Sequence, residues 1–314
     1  MTVEQKSLWF FAGIVTLLAV ASLIGYVLSR KARSESATAT VDNLNQRVNA
    51  WWGMVIILVL SWLMGPMATV VLYGFISLFA LREFITLAPT IRGDHNALFA
   101  AFFILIPLQY SLIGMQWYSM FTLLIPVYAF LLLPAIAVLS QDTSAFLERT
   151  AKIQWGVMIC VYCISHAPAL MLLELKGFSG QNSLLLFYLV FVVQLSDVLQ
   201  YVFGKLLGKR KVAPLVSPSK TVEGLVGGGL SATLIGGCMY WMTPFTFWES
   251  LGMSFVIVCM GFMGGLVMSA IKRSLSAKDW GTMIKGHGGM LDRMDSICFS
   301  APVFFHFTRY FFSA

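Results

Sequence analysis

The chain has 314 residues, of which 58% are hydrophobic and 11% charged, with a formal net charge of +7 and a mean hydropathy of +0.81. Soluble domains carry about 25% charged residues, so a soluble fold is excluded and an all-α, polytopic integral membrane protein is expected. The positive charge does not point to nucleic acid, because no stretch interleaves basic and aromatic side chains as a nucleic-acid surface does.

Apolar runs long enough to cross a hydrocarbon layer roughly 30 Å thick lie near 8–29, 50–64, 67–87, 97–114, 118–139, 153–174, 184–205, 224–244, 251–271 and 296–312, so about ten transmembrane helices are expected. Stretches such as Val55 to Leu63 and Leu123 to Leu139 show no polar face at the helical period, which suits lipid and not a soluble core. The first run is too long for a signal-peptide core, and its basic cluster, Arg30, Lys31 and Arg33, follows it. Residues 30–49, rich in Ser, Ala, Thr and Asn, read as a polar connector that makes helix one peripheral. At Gly65-Pro66 a short connection and a kink in one long helix both satisfy the backbone. The organisation expected is residues 1–49 as helix and connector, 50–175 as an N-terminal helical region, and 184–314 as the catalytic region.

With the N-terminus outside, about eighteen of the 21 Lys and Arg residues fall on cytoplasmic connections, and only Lys6, Lys176 and Arg309 fall outside. The bias is consistent with ten helices, both termini outside and cytoplasmic loops; the membrane expected is a bacterial inner membrane. The five cysteines, Cys160, Cys163, Cys238, Cys259 and Cys298, all lie in apolar segments and read as packing residues. Cys160 and Cys163 have ligand spacing, but with His166 they offer only three donors for a zinc site that needs four.

Two polar islands remain. In the first, Asp197, Tyr201 and Lys205 recur every four residues and share one helix face, which Lys209 continues if the helix persists; a neighbourhood that only seals the helix end is the alternative. An acid at a membrane boundary normally faces a cavity or a partner. Ser217-Pro-Ser-Lys220-Thr-Val-Glu223-Gly224 follows, a turn with a lysine suited to phosphate, just before a new helix. In the second island, Ser269, Lys272 and Arg273 put a hydroxyl and two cations on one face, where Arg suits bidentate phosphate contact and Lys a compact charge. Basic residues anchoring a helix end at anionic headgroups would explain that face equally well. His287-Gly-Gly289 and then Asp292 and Asp295, three apart on one face, favour a phosphate and hard-metal site over a solvated patch.

The pattern Ser269-x-Ile-Lys-Arg-x4-Lys-Asp-x-Gly-x2-Ile-x2-His-Gly-Gly-x2-Asp-Arg-x-Asp295 resembles the signature of the phosphatidate cytidylyltransferase, or CDP-diacylglycerol synthase, family. Asp197-x3-Tyr, Gly204-Lys, Gly208-Lys and Ser217-Pro-x-Lys-Thr-x-Glu-Gly224 resemble its other blocks in the same order, so the likeness covers roughly residues 190 to 305. It implies that CTP and phosphatidic acid give CDP-diacylglycerol and pyrophosphate with Mg2+, in phospholipid biosynthesis at the bilayer, with a homodimer left open. In that reading Asp292 and Asp295 hold magnesium, while Lys220, Lys272 and Arg273 bind phosphates. Asp279 orients cations or the metal's waters, and His287 belongs to the catalytic set. Asp197, Lys205, Ser217, Glu223, Ser269 and Arg293 make substrate contacts.

The chain departs from the family's pattern at several places. Many members have Gly-Asp-Leu where Gly264-Gly265-Leu266 stands, so a carboxylate that resembles a metal ligand is absent and a second cation is in doubt. Met268 replaces a glutamate, Lys285 a Pro or Gly, Gln200 a small Ala and Val222 a common Trp, which points to a divergent branch with altered substrate or cofactor details, the alternative being a member with lost activity. A CDP-archaeol synthase-like enzyme would keep the chemistry and change the lipid. A transporter would need two repeated halves with broken helices, and no repeat is visible.

Overall fold

The computed structural model describes residues 2–31, 34–284, 286 and 288–313. Among them ten long helices occur in chain order: α1 (Val3–Lys31), α2 (Glu35–Leu63), α3 (Pro66–Leu87), α4 (Arg92–Gly114), α5 (Tyr118–Val138), α6 (Phe146–Leu172), α7 (Ser183–Leu206), α8 (Val222–Cys238), α9 (Phe247–Ser274) and α10 (Leu291–Phe312). Seven of them, α1, α3, α4, α5, α6, α7 and α9, are long and apolar enough to cross a membrane. The chain is therefore an all-α, multi-pass membrane protein. The other three expected spans fall on α2, which has a polar first half, on the shorter α8, and on α10, which begins with charged residues.

The ends of these helices follow local chemistry. Gly65 has φ 102°, a backbone only glycine adopts freely, and Pro66 occupies the first turn of α3, where its missing N–H is harmless. The chain thus turns at Gly65-Pro66 instead of running on as one kinked helix. Two of the three π-helical stretches, 101–105 in α4 and 124–129 in α5, lie beside or contain Pro107 and Pro126, which cannot donate to the helical ladder. Helix α9 opens with a capping box in which Thr246 accepts from the Glu249 N–H and the Glu249 carboxylate accepts from the Thr246 N–H. An antiparallel pair, β1 (Lys211–Ala213) and β2 (Ser217–Thr221), leads from α7 into α8, with Lys211 opposite Thr221.

Much of the polar connector expected over 30–49 is helical. Residues 35–49 continue the same helix as 50–63, and the sequence there contains neither Gly nor Pro to interrupt it. Helix α1 meets the bundle through Phe10 and Phe11, whose rings pack on Phe187, Phe191 and Trp62. Most of its remaining surface is apolar and exposed, as a lipid-facing helix requires.

The core is built mainly from α3, α4, α5, α6, α7, α9 and α10. A buried pair ties two of them together, since Arg149 Nε on α6 donates to Asp94 Oδ1 at 3.0 Å near the start of α4. His166 and His306 belong to aromatic packing, not to the polar loops. His166 Nδ1 lies 2.7 Å from the Tyr162 carbonyl, and His306 Nδ1 lies 3.1 Å from the Tyr118 hydroxyl.

Candidate active site

Small residues let α9 and α10 approach closely, and this contact places the acids. A Cβ on Gly261 would stand 3.2 Å from Ser300 Oγ, and one on Gly264 would stand 2.7 Å from the Asp295 carbonyl, so larger side chains would push the helices apart. Ser296 then faces α7. Its hydroxyl donates to Asp197 Oδ2 at 2.9 Å, while its N–H donates to Asp295 Oδ1 at 2.8 Å. Two carboxylates from opposite ends of the motif region therefore converge on one serine.

Lys220 stands among these acids. It enters from β2 with its ammonium 4.6 Å from the Phe262 ring centre and 3.4 Å from the Phe262 carbonyl. Burial pushes this amine below its ordinary value of 10.5, and Asp197 and Asp295 pull it back up. The ammonium also lies 2.5 Å from where a Cβ on Gly265 would be. The space an aspartate at 265 would enter is thus taken by a cation.

Asp292 has a different setting from the one expected. Its Oδ1 pairs with Lys272 Nζ at 2.7 Å, and its Oδ2 accepts the N–H groups of Trp280 at 2.8 Å and Gly289 at 2.9 Å. Both partners of the ion pair are buried, with side chains 11% and 5% exposed. The carboxylate folds the loop between α9 and α10 onto the helix ends. Asp197, from α7, stands beside Asp295 through their shared contact with Ser296. The i, i+3 spacing put Asp292 and Asp295 on one face but could not reveal that three local donors engage the first of them.

Among the described residues no group of three His, Cys, Asp or Glu side chains could hold a metal ion. The Asp197 and Asp295 pair nevertheless fits a magnesium-type ion. Each carboxylate has one oxygen with no hydrogen bond among the described residues, and magnesium is commonly held by one or two carboxylates with water and substrate phosphates completing its shell.

The remaining motif residues divide between the centre and its rim. Arg293 is half-buried within electrostatic reach of Asp197 and Asp295, and its Nε has no partner among the described residues. Ser269 Oγ donates to the Gly265 carbonyl at 2.6 Å, and Ser217 is buried at the start of β2. Arg273 is exposed and donates to the Ala277 carbonyl at 3.0 Å, and Asp279 is exposed. Lys205 lies 5.8 Å from the ring centre of Tyr201. Glu223 points to the backbone, accepting the Lys209 N–H at 2.9 Å and the Arg210 N–H at 3.1 Å. It anchors the base of the hairpin and is not turned toward the acids. His287 and Lys285 lie outside the described residues.

Sequence reasoning missed Glu83. This acid of α3 accepts the N–H of Met290 through Oε1 and that of Leu291 through Oε2, each at 2.9 Å. Its neighbour Phe84 stacks on the buried Trp280, with ring centres 5.3 Å apart. One signal could have found it, since an ionisable residue inside an apolar run is a functional candidate by default.

Membrane helices here bring two carboxylates, a half-buried lysine and an arginine together, a charge set compatible with the membrane-embedded nucleotidyltransferase class that the family match shows. Residues 45–311 match the cytidylyltransferase family, and the chain belongs to it. A phosphatidate cytidylyltransferase of Staphylococcus aureus (strain COL) is 39% identical over 118 residues, covering 37% of this chain and 45% of that protein. The phosphatidate cytidylyltransferase of Staphylococcus haemolyticus (strain JCSC1435) is 28% identical over 244 residues, covering 77% and 90%. The uncharacterized protein YnbB of Escherichia coli (strain K12) is 39% identical over 313 residues, 98% of both chains.

Proposed function

We propose that this chain is a CTP:phosphatidate cytidylyltransferase that forms CDP-diacylglycerol and releases pyrophosphate in phospholipid biosynthesis. The observation that carries the reading is the convergence of Asp197, Asp295 and Lys220 around Ser296 and Gly265. Such a site suits phosphoryl chemistry, in which positioning and charge neutralisation do most of the work.

In this reading a phosphatidate oxygen attacks the α-phosphorus of CTP in line, and the bond to the pyrophosphate oxygen breaks. Lys220 and Arg293 neutralise charge on the phosphates, and Ser296 fixes the two acids relative to each other. Asp197 and Asp295 are the residues that would hold one Mg2+, which when bound would draw charge from the phosphate oxygens. The Lys220 ammonium supplies positive charge where a second cation would otherwise be needed. Lys272 serves through its pair with Asp292, while Arg273 and Lys205 on the rim meet the incoming nucleotide or the lipid headgroup. The positive-inside bias supports a cytoplasmic site, and the membrane in this reading is a bacterial inner membrane.

The test is the purified protein in lipid nanodiscs with CTP and Mg2+, supplied in turn with phosphatidate, an isoprenoid-ether lipid phosphate and no lipid phosphate. Formation of CDP-diacylglycerol with phosphatidate is expected. A product formed only from the ether lipid would assign the archaeol-type reaction, and no nucleotide-lipid from either substrate would refute the proposal.

A further inference from the structure

The N-terminus of α10 is the hinge of the site, because the helix carries Asp292, Arg293, Asp295 and Ser296 within its first two turns. The first N–H groups of a helix have no partner inside it, so something else must satisfy them. Here the partner comes from a distant part of the chain, since the Glu83 carboxylate accepts Met290 N–H and Leu291 N–H at 2.9 Å each. A negative charge at this end also complements the helix dipole.

The fit around Glu83 is tight on the loop side. A Cβ on Gly281 would lie 2.9 Å from Glu83 Oε1, and one on Gly289 would run into Oε2. Phe84, on the next residue of α3, holds Trp280, whose N–H in turn binds Asp292. Helix α3 thus grips both ends of the segment that folds back through Asp292, while none of its own side chains belongs to the acid pair.

We propose that Glu83 is a positioning residue for the nucleotidyl transfer: it fixes the start of α10, and through it Asp295 and Ser296, against Asp197 and Lys220. The inference rests on the functional reading above. Because the carboxylate already fills the anion-binding end of α10, the substrate phosphates bind at Lys220 and Arg293 and not at this helix terminus.

Glu83→Gln keeps the size of the side chain but puts an amide nitrogen against one of the two N–H donors. In nanodiscs the variant is expected to lose about tenfold to 100-fold in kcat, the scale of a small misplacement of reacting groups, with KM for CTP within about twofold and an unchanged thermal midpoint. Gly281→Ala, which pushes the carboxylate without removing it, is expected to give the same kcat-selective loss. Independently of turnover, hydrogen exchange in peptides containing Met290 and Leu291 should speed up in both variants while peptides from α4 and α5 stay unchanged. A Glu83→Gln protein with wild-type kcat, or with exchange at Met290 and Leu291 as slow as wild type, overturns the proposal. So does a loss that follows the thermal midpoint across both variants, which would mark Glu83 as ordinary packing. If the wild type transfers no nucleotide to any lipid phosphate, the functional reading fails and the exchange result alone decides the role of Glu83.

Discussion

Lys220 Nζ lies 2.5 Å from the place a Cβ on Gly265 would occupy, so a cation from the hairpin strand fills the gap that glycine leaves in α9. An aspartate there would meet the ammonium directly and engage it. Gly265→Asp is accordingly expected to raise KM for CTP about tenfold, because the lysine would be neutralised by its new neighbour instead of by phosphate. Steady-state kinetics at saturating lipid measure this, and an unchanged KM would remove Lys220 from nucleotide binding.

The same lysine makes a pH prediction. Burial holds its folded-state pKa below the ordinary 10.5, so the folded protein binds fewer protons at this site than the unfolded chain. The charged form therefore costs stability below the folded pKa, and that cost disappears as pH rises toward 10.5. Lys220→Met removes the term. Its thermal midpoint should equal or exceed that of the wild type near pH 7, and the gap should close toward pH 10 as the wild-type lysine loses its proton. A gap that widens with pH would contradict the sign. Turnover in the same variant should fall on the order of 100-fold, the scale of losing one preorganised charge-stabilising group.

The three acids should separate in their effects. Asp292→Asn leaves Lys272 charged and buried without its partner, which costs about 3 to 5 kcal/mol in other buried pairs, so a large drop in thermal midpoint should accompany the lost activity. Asp197→Asn and Asp295→Asn instead relieve two like charges held together by Ser296. Each should abolish turnover with a thermal midpoint equal to or above that of the wild type. Equal destabilisation by all three would erase the distinction drawn between the loop clamp and the acid pair.

Much of this arrangement was readable from the residues alone. The apolar runs located the helices because lipid forces backbone hydrogen bonds to close within each segment, and the charged islands located the polar end. Partner choice was not readable. Spacing along α10 placed Asp292 and Asp295 on one face, yet Asp292 is engaged by Trp280, Gly289 and Lys272, groups fixed by a loop whose path depends on the whole bundle. Asp197 lies 98 residues from Asp295 in sequence, and only the packing of α7 beside α10 in the folded bundle lets the Ser296 hydroxyl reach it. Glu83 was conspicuous as an acid inside an apolar run, but its partners were not legible, since they are backbone N–H groups that leave no trace in the sequence.

Metal dependence offers the sharpest test of the acid pair. If Asp197 and Asp295 together hold a divalent ion alongside the nucleotide, removing divalent ions with EDTA should abolish nucleotide transfer, and added Mg2+ should restore it. Mn2+ gives a readout that does not need turnover, because its paramagnetic resonance signal falls when the ion is bound. In the presence of CTP the wild type should quench that signal beyond what CTP alone produces, and Asp197→Asn or Asp295→Asn should each remove the excess. Asp292→Asn, measured at a temperature where it stays folded, should keep it, since its carboxylate is already occupied by Lys272 and two backbone donors. Loss of Mn2+ binding in folded Asp292→Asn, with binding retained in Asp197→Asn, would return the metal to the pair that sequence spacing indicates.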